Sequence, residues 1–598
     1  PEGTPMGGYY KEVNINYGRS IAGYYNNQGQ YQSSGTCTSS NCTYYELQQY
    51  YNSDGTVNTI DINSNYYYLV TRDTNIIVLR TNVSSAWSDD KPFTLTGIYN
   101  GNDYSNYQIT LDPGSGWWGG GTYLTMYADT RMEYITLNGE AQKETDTEPA
   151  SDNRSGSTIY GSWYNLKMGR GIKTTSGNNY TTADSIMAGN NSSTGSSSNI
   201  TRYKLEIESG IYNTLSGVGG RSTGTAYIDG QIIYGSDYDR VANNNDNLEV
   251  YFCASASWGG SIYSTSTQTG IALHTTVKSG SFGTSEYDYS TGIYIGGRSG
   301  GTHYAAREAM IEGGDIYNLI GGPLTASNRT NINDTYLNIK GGTIDMVIGG
   351  AGASETYGNR IINMTDGTVN YGVFGGSNGY TGDDSGNYKG TLSGSTFIYI
   401  GGNSIVGNDT LINNNRQLFG VSSGNVFGIG NGNSDSTQVG SADNSNIIID
   451  GNALIKQSVY GGGNYGATGL VPYQDRNGSK NSTTNIKILN GTINGSVYGA
   501  GNNNGSGGEA TYTTGSGWWG GTTYTTTVTS AINIQVLGGN IKNSVYGGSR
   551  VRGTVYGDTN VAINSGTIEE DVYGGGEGGY SSSRSPGTYV RDNVYVTV

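Results

Sequence analysis

The amino-acid sequence predicts an all-β protein that folds as a right-handed parallel β-helix, a β-solenoid with turns of about 27 residues. Three observations support this prediction: the composition, the recurrence of one strand-and-glycine pattern, and the spacing of its copies. Only 34% of the 598 residues are hydrophobic whereas 99 are glycine, which indicates a thin, long core. Eight prolines and an almost complete lack of 3.6-residue periodicity leave little indication of helix.

One pattern recurs over most of the chain. It consists of an alternating apolar strand, a glycine turn, a short apolar pair, and an aromatic or aliphatic anchor residue followed by glycines. Copies begin at Lys204, Ala309, Asn338, Ile361, Asn446, Asn485, Ile532 and Asn560. The anchor residues are Ile320, Ile348, Phe374, Phe419, Tyr460, Tyr498, Tyr546 and Tyr573. The shortest spacings between anchors are about 26–28 residues, which is roughly one turn of a three-sided β-helix.

The longer spacings place their extra residues after the anchor glycines, as in residues 502–530. We therefore expect loop insertions at one corner of the solenoid, and a core that does not depend on residues 503–527. Within a turn, Ile532, Ile534 and Val536 alternate with polar residues, so their side chains are expected to point inward and to stack on those of neighbouring turns. Glycine pairs such as Gly538–Gly539 and Gly547–Gly548 are expected to allow positive φ at the corners.

The chain is expected to have two regions. Residues 1–200 are less regular, and we interpret them as an N-terminal cap with degenerate solenoid turns, the alternative being a small β-sandwich. Residues 201–598 carry the regular repeats and form the β-solenoid proper.

Repeats of this GGTI and VYGGG type resemble those of large bacterial cell-surface proteins with pectate-lyase-like β-helices, including adhesins and autotransporter passengers. The resemblance covers residues 204–576. It implies an extracellular or cell-surface location and a structural or adhesive role. A signal peptide is expected to have been removed before Pro1. Self-assembly into an extracellular fibre or sheath is part of this expectation. The alternatives are a polysaccharide lyase or glycoside hydrolase of the β-helix type, and a phage-type fibre.

Charge and hydropathy restrict the partners. The net charge of −16 and the low isoelectric point disfavour nucleic acid, since phosphate backbones are repelled. No run approaches the ~20 apolar residues that a membrane helix needs, so no membrane insertion is expected. A carbohydrate or another cell-surface ligand remains compatible with the composition.

Catalytic and metal-binding motifs are not evident, and we expect no enzymatic activity and no metal site. His274 and His303 lie in no nucleophile or zinc motif. Carboxylates cluster around Asp237, Asp383 and Glu569, but turn residues of this kind are usually solvated. Tandem calcium-binding nonapeptides do not occur, which leaves only isolated structural calcium ions as a cofactor.

Several residues are candidates for a disulfide bond or for surface and assembly contacts. Cys37 and Cys42 lie close enough in sequence for a disulfide, which leaves Cys253 over. Two nearly identical GSGWWGG segments place tryptophan pairs in glycine-rich surroundings, where they would form an exposed aromatic platform or fold back onto the solenoid wall. The final strand VYVTV is expected to mediate head-to-tail association by strand addition. The residues proposed for these contacts are Trp117, Trp118, Trp518, Trp519, Val594, Val596 and Val598.

Overall fold

A computed structural model describes the larger part of the chain. The residues described are 8–16, 20–25, 31–38, 41–50, 67–68, 75–79, 92–111, 123–138, 157–174, 182–190, 192–196, 198–219, 225–255, 261–264, 270–283, 291–297, 304–323, 333–352, 356–379, 390, 392–418, 420–432, 440–471, 478–513, 523–578 and 587–598. They fall into two compact units, one comprising Pro1–Ala188 with Lys204–Ile211 and the other Gly189–Tyr203 with Tyr212–Val598.

The first unit is built from strands alone in its described part. The strands up to Met187 are β1 (Gly8–Asn16), β2 (Ser20–Tyr25), β3 (Tyr31–Thr36), β4 (Asn41–Tyr50), β5 (Tyr67–Tyr68), β6 (Asn75–Val78), β7 (Phe93–Thr96), β8 (Ile98–Tyr99), β9 (Asn102–Asp103), β10 (Gln108–Thr110), β11 (Tyr123–Thr125), β12 (Thr130–Glu133), β13 (Thr136–Asn138), β14 (Thr158–Tyr160), β15 (Leu166–Met168) and β16 (Ala183–Met187). Strands β1 to β5 form an antiparallel sheet in the order β3-β2-β4-β1-β5. Strands β6, β7, β12 and β15 then lie side by side in parallel, whereas β8 and β9 form an antiparallel pair.

The core of this unit is a column of stacked side chains on the parallel strands. Leu95, Met132, Met168 and Ile207 occupy equivalent register positions and are 3%, 1%, 0% and 0% exposed. Burial of each of these side chains stabilises the fold by roughly 1.5–3 kcal/mol. The column arises because every second residue of a strand points to the same face.

The remaining strands belong to the region of regular repeats. They are β17 (Thr201–Ile207), β18 (Gly210–Ser216), β19 (Thr225–Tyr234), β20 (Leu248–Ser255), β21 (Ser261–Tyr263), β22 (Ile271–Val277), β23 (Ser281–Phe282), β24 (Gly292–Tyr294), β25 (Ala306–Ile311), β26 (Asp315–Ile320), β27 (Thr335–Ile348), β28 (Thr356–Tyr357), β29 (Arg360–Phe374), β30 (Leu392–Ile400), β31 (Ile405–Val406), β32 (Gln417–Leu418), β33 (Val421–Ser422), β34 (Asn425–Phe427), β35 (Ala442–Ile449), β36 (Leu454–Ile455), β37 (Val459–Tyr460), β38 (Gly478–Ile488), β39 (Thr492–Ile493), β40 (Val497–Tyr498), β41 (Gly508–Thr513), β42 (Thr523–Ile541), β43 (Val545–Tyr546), β44 (Gly553–Val555), β45 (Thr559–Ile568), β46 (Val572–Tyr573), β47 (Thr588–Val590) and β48 (Val594–Thr597). Two short helices, α1 (Asp237–Ala242) and α2 (Asp409–Asn413), interrupt them.

In the second unit each repeat contributes strand segments to three parallel files. One file runs through β25, β27, β29, β30, β35, β38, β42, β45 and β48. A second includes β31, β36 and β39, and a third contains the anchor strands β34, β37, β40, β43 and β46. Each strand of these three files therefore pairs with its equivalent in the next repeat. The part of the chain described is nearly all β with a long parallel sheet.

The interior of the files follows the alternation seen in the sequence. Ile532, Ile534 and Val536 are 0%, 1% and 0% exposed, whereas the intervening residues face outward. Gly539 adopts a φ of 81°, as predicted for a corner glycine. Gly547 is needed for a different reason: a Cβ there would overlap the carbonyl oxygen of Gly574 in the next repeat. Close stacking of backbones, and not positive φ, selects glycine at that position.

Two expectations about the repeats are wrong. Phe427, not Phe419, is the anchor equivalent to Phe374 and Tyr460. Phe427 is followed by GIG in place of the usual glycine pair, and the long insertion before it moves this anchor further along the chain. Insertions also leave from more than one corner, since residues 407–424 precede their anchor strand and α1 lies between β19 and β20.

Residues 502–530 are also more integrated than expected. Strands β41 and β42 form an antiparallel hairpin at this insertion. Ser506 nevertheless bridges Thr468 and Val555 of the neighbouring repeats. Ala510 is buried against Ala467 and Leu470. The base of the insertion therefore belongs to the core, and the expectation that the core is independent of residues 503–527 does not hold for this base.

Candidate functional site

A stack of six aromatic rings runs through the anchor file of the second unit. Neighbouring ring centroids are 4.8–5.1 Å apart and the ring planes are 4–8° from parallel. The rings belong to Phe374, Phe427, Tyr460, Tyr498, Tyr546 and Tyr573. The spacing matches the separation of paired strands, because each ring sits at the same register position of its repeat. The first four rings of the stack are buried, so the stack forms part of the core.

A ladder of asparagines runs beside the rings, four positions after each anchor. The Asn431 amide donates to the Oδ1 of Asn378 at 3.1 Å, that of Asn464 to Asn431 at 3.0 Å, and that of Asn502 to Asn464 at 2.8 Å. Asn378, Asn431 and Asn464 are buried. Asn431 and Asn464 each donate to the preceding amide and accept from the following one, so these inner rungs satisfy one another.

The ladder changes character in the last two repeats. Arg550 and Glu577 take the position that asparagine has in the earlier repeats, and the Arg550 Nε lies 3.6 Å from the Glu577 Oε2. The Tyr498 hydroxyl donates to the same carboxylate oxygen at 2.5 Å. A neutral amide ladder therefore ends in a charged pair close to the aromatic stack.

A polar cleft of about 320 Å³ lies over the point where the aromatic stack and the asparagine ladder meet. Its floor includes Phe427, Tyr460 and Asn464, and one wall is the excursion formed by residues 407–418 and 420–424. The full lining is Leu411, Ile412, Asn415, Arg416, Gln417, Gly420, Val421, Ser422, Ser423, Asn425, Phe427, Gln457, Tyr460, Asn464, Tyr465, Asn502, Asn503 and Arg550. Amide and hydroxyl groups dominate this lining, above a floor of aromatic rings.

The excursion that forms the wall is firmly attached. Asn408 caps α2 by accepting from the backbone of Thr410 and Leu411, and Lys456 forms an ion pair with Asp409 at 2.7 Å. Leu418 packs against the buried cluster that contains Phe374, Phe427 and Tyr460. The cleft is thus held by a cap, an ion pair and an apolar contact, so its walls are largely formed before any ligand arrives.

The electrostatics of the cleft differ from those of the whole chain. Its described lining contains Arg416 and Arg550 and no carboxylate, although the chain carries a net charge of −16. Burial raises the pKa of the Tyr460 hydroxyl, which the nearby Arg550 only partly counteracts. Burial and the hydrogen bond to Glu577 raise the pKa of Tyr498. Both phenols therefore stay protonated near neutral pH and act as neutral hydrogen-bonding groups.

The contact residues predicted from the sequence lie elsewhere. The tryptophan pairs Trp117–Trp118 and Trp518–Trp519 lie outside the described residues. The structure joins Cys37 to Cys42 by a disulfide, and Cys253 is buried and takes part in no disulfide. The three terminal valines are exposed on and beside β48, by 48%, 43% and 84% for Val594, Val596 and Val598.

The carboxylate clusters engage in local bonds. Asp237 pairs with Lys278 at 2.6 Å and with Arg240 at 3.2 Å. Glu569 accepts from Asn540, and Asp571 accepts from the Tyr573 hydroxyl. These contacts show that the carboxylates of both clusters bind neighbouring side chains and so have a local structural role. Asp383 and His303 lie outside the described residues.

The cleft was not predicted from the sequence. One signal was available, because asparagine recurs four positions after the anchor at Asn378, Asn464 and Asn502. Its walls, however, come from an insertion whose anchor was misassigned. Among the described residues, no group of three His, Cys, Asp or Glu side chains is arranged to hold a metal ion. The described part of the chain also contains no helix with the length and hydropathy needed to cross a membrane.

No protein-family model, curated protein or solved structure matches this chain.

Proposed function

We propose that the protein is a secreted or cell-surface right-handed β-solenoid with a structural or adhesive role, whose cleft binds a carbohydrate. Turns of about 27 residues are proposed where no insertion intervenes, because the Asn560–Asn533 hydrogen bond spans 27 residues and the Asn363–Asn338 bond 25. Parallel pairing of β6, β7 and β12 favours solenoid turns over a β-sandwich, in which strands pair antiparallel. The Cys37–Cys42 disulfide supports an oxidising, extracellular compartment.

The lining of the cleft is the observation that carries the binding proposal. A sugar presents hydroxyl groups that both donate and accept, together with apolar C–H faces. Asn415, Gln417, Gln457 and Asn503 offer amides of both hydrogen-bonding kinds, and Tyr465 offers a ring with a hydroxyl. A preformed cleft that combines such groups requires little ordering when a ligand binds.

We propose binding without cleavage. Hydrolysis of a glycosidic bond ordinarily uses two carboxyl groups, one on each side of the bond. The described lining of the cleft supplies none. Incubation with plant, algal and host glycans, followed by assays for new reducing ends and unsaturated sugars, tests this point. Consistent product release would support the alternative of a β-helix lyase or hydrolase.

Binding itself is tested with a glycan array, followed by calorimetry on the best ligand. Arg416→Ala and Gln417→Ala change exposed lining residues and should weaken binding at least about tenfold, because each removes hydrogen bonds worth about 1.5 kcal/mol. Arg202→Ala is the matched control, since Arg202 is exposed and does not line the cleft. The proposal fails if no glycan binds, or if binding is unchanged by both cleft variants.

A second candidate function is assembly of copies through β48. This strand pairs with β45 on one side, and no described strand pairs with its other edge. Val596 continues the column of Ile486, Ile534 and Val561, which are at most 2% exposed, yet Val596 itself is 43% exposed. A second copy that adds a strand at this edge would bury Val594 and Val596 and satisfy the open backbone groups.

Assembly is tested by removing residues 589–598 and comparing the two proteins by light scattering and electron microscopy. Full-length protein should form elongated particles that grow with concentration, whereas the truncated protein should not. Val594→Thr with Val596→Thr is the milder variant, because it keeps the strand and lowers its apolar surface. Full-length protein that stays monomeric at high concentration rules out assembly by this edge.

A further inference from the structure

Two arginine side chains lie fully enclosed in the interior of the second unit. Arg307 and Arg360 are both 0% exposed. They belong to one inward column, in which Thr335 pairs in register with Arg307 on one side and with Arg360 on the other. Two strand spacings separate them, so their Cα atoms are roughly 10 Å apart. The next residue of the column, Thr396, is equally buried, which makes the two arginines an exception in an interior of small and apolar groups.

Arg360 has its own partners. Its Nη1 donates to the carbonyl oxygens of Asn333 and Asn359, each at 2.9 Å, and its Nη2 donates to that of Tyr357 at 2.8 Å. Burial lowers the pKa of Arg360 to about 10, which the nearby carboxylate of Asp334 only partly offsets, so the side chain stays charged at neutral pH. Only the Nε of this side chain lacks a hydrogen-bond partner. Arg360 therefore holds a corner of the backbone together while keeping its charge.

Arg307 has no such partners. Its Nε, Nη1 and Nη2 are all buried without a hydrogen bond, and no described carboxylate forms an ion pair with it. Burial, and then the charge of Arg360, lower the pKa of Arg307 to about 9, which still leaves it charged at neutral pH. A buried guanidinium with five unused N–H donors is strongly unfavourable unless an anion accompanies it.

The local charge balance indicates which anion. Two guanidinium groups and the single carboxylate of Asp334 leave one positive charge uncompensated. We propose that Arg307 binds one small monovalent inorganic anion, chloride or a close equivalent, within the solenoid wall. The enclosed position favours a small ion that can shed its water over a phosphate or an organic ligand. The anion is a structural component of the turns that contain β25, β27 and β29.

The test measures the melting temperature of the full chain as chloride replaces gluconate at constant ionic strength. Chloride should raise Tm in a saturable way by about 2 °C or more, because a ligand that binds only the folded state stabilises it. Bromide and nitrate should act similarly. A Tm independent of the anion overturns the proposal, and would mean that the charge is balanced within the chain.

Variants assign the effect to this site. Arg307→Met keeps most of the side-chain volume and removes the charge, so its Tm should no longer respond to chloride. Arg202→Met, at an exposed arginine, should keep the response. A chloride response that persists in Arg307→Met refutes the assignment. If that variant does not fold, crystals of the unaltered protein soaked in bromide decide the question: an anomalous peak beside the Arg307 guanidinium is expected, and its absence at high bromide refutes the site.

Discussion

Replacement of Val497 by aspartate is the most direct test of the stacked interior. Val497 is 0% exposed and pairs in register with Val459 in one neighbouring repeat and Val545 in the other. Val497→Ala removes two methyl groups, which corresponds to about 1.6 kcal/mol of transfer free energy, and the cavity increases the loss to about 2–3 kcal/mol. Val497→Asp adds a buried carboxyl without a partner, and should reduce the free energy of unfolding by about 4 kcal/mol or more.

The assay combines urea denaturation with hydrogen exchange. The denaturation midpoint should fall in the order wild type, Val497→Ala, Val497→Asp. Because each repeat contacts mainly its neighbours, peptides that cover β37 and β43 should lose protection in Val497→Asp, whereas peptides that cover β7 and β12 should keep it.

Val241→Asp is the control, because Val241 lies in α1 and is 80% exposed. The same chemical change there should alter the free energy of unfolding by no more than about 0.5 kcal/mol. The reasoning is refuted if Val497→Asp leaves the midpoint unchanged, or if Val241→Asp is equally destabilising.

Four further predictions follow from individual contacts. Asn464→Leu should destabilise the protein by about 2–3 kcal/mol in urea titrations, because Asn431 and Asn502 each lose a buried hydrogen bond, and an unchanged midpoint would contradict the ladder. Tyr498→Phe should cost about 1–2 kcal/mol through the lost bond to Glu577 while retaining the ring stack, and should be much milder than Tyr498→Ala. Burial raises the pKa of Asp345, so the folded protein binds a proton at this side chain more tightly than the unfolded chain does, and the native state loses stability as pH rises through and above the usual carboxyl range. The difference in Tm between Asp345→Asn and wild type should therefore increase from about pH 3 to pH 7. A constant difference would contradict this. Replacement of residues 511–525 by a short Gly-Ser linker keeps Ser506 and Ala510, so circular dichroism should show the same cooperative melting, and loss of cooperativity would show that the outer hairpin is needed.

Much of the interior was predictable from the sequence alone. Alternation of apolar and polar residues placed Ile532, Ile534 and Val536 inward, since strand side chains alternate between faces. The anchors Tyr460, Tyr498 and Tyr546 were also recognised, and the structure pairs them in register. These features depend on a two-residue period and on the repetition of one motif, both of which are visible in one dimension.

The tertiary structure decided what happens where the repeat is interrupted. Phe427 stacks on Phe374 across 53 residues of chain, a separation that also appears in the Asn431–Asn378 bond. Local pattern cannot select between Phe419 and Phe427, because closure of a repeat depends on how the inserted residues 407–424 fold back. The cleft depends on that same closure, so its lining combines positions far apart in sequence, from Leu411 to Arg550.

For the buried arginines, too, the sequence indicates one part of the arrangement and the tertiary structure decides the other. Alternation places Arg307 in phase with the inward residues Ala309 and Ile311, and Arg360 in phase with Ile362 and Met364. A charged side chain at an inward position is ambiguous in sequence, since an arginine often extends its head group to solvent. Only the three-dimensional arrangement gives Arg360 three carbonyl partners and leaves Arg307 with none. The strand determines whether a side chain points inward, but the surrounding turns determine which groups can form hydrogen bonds with it.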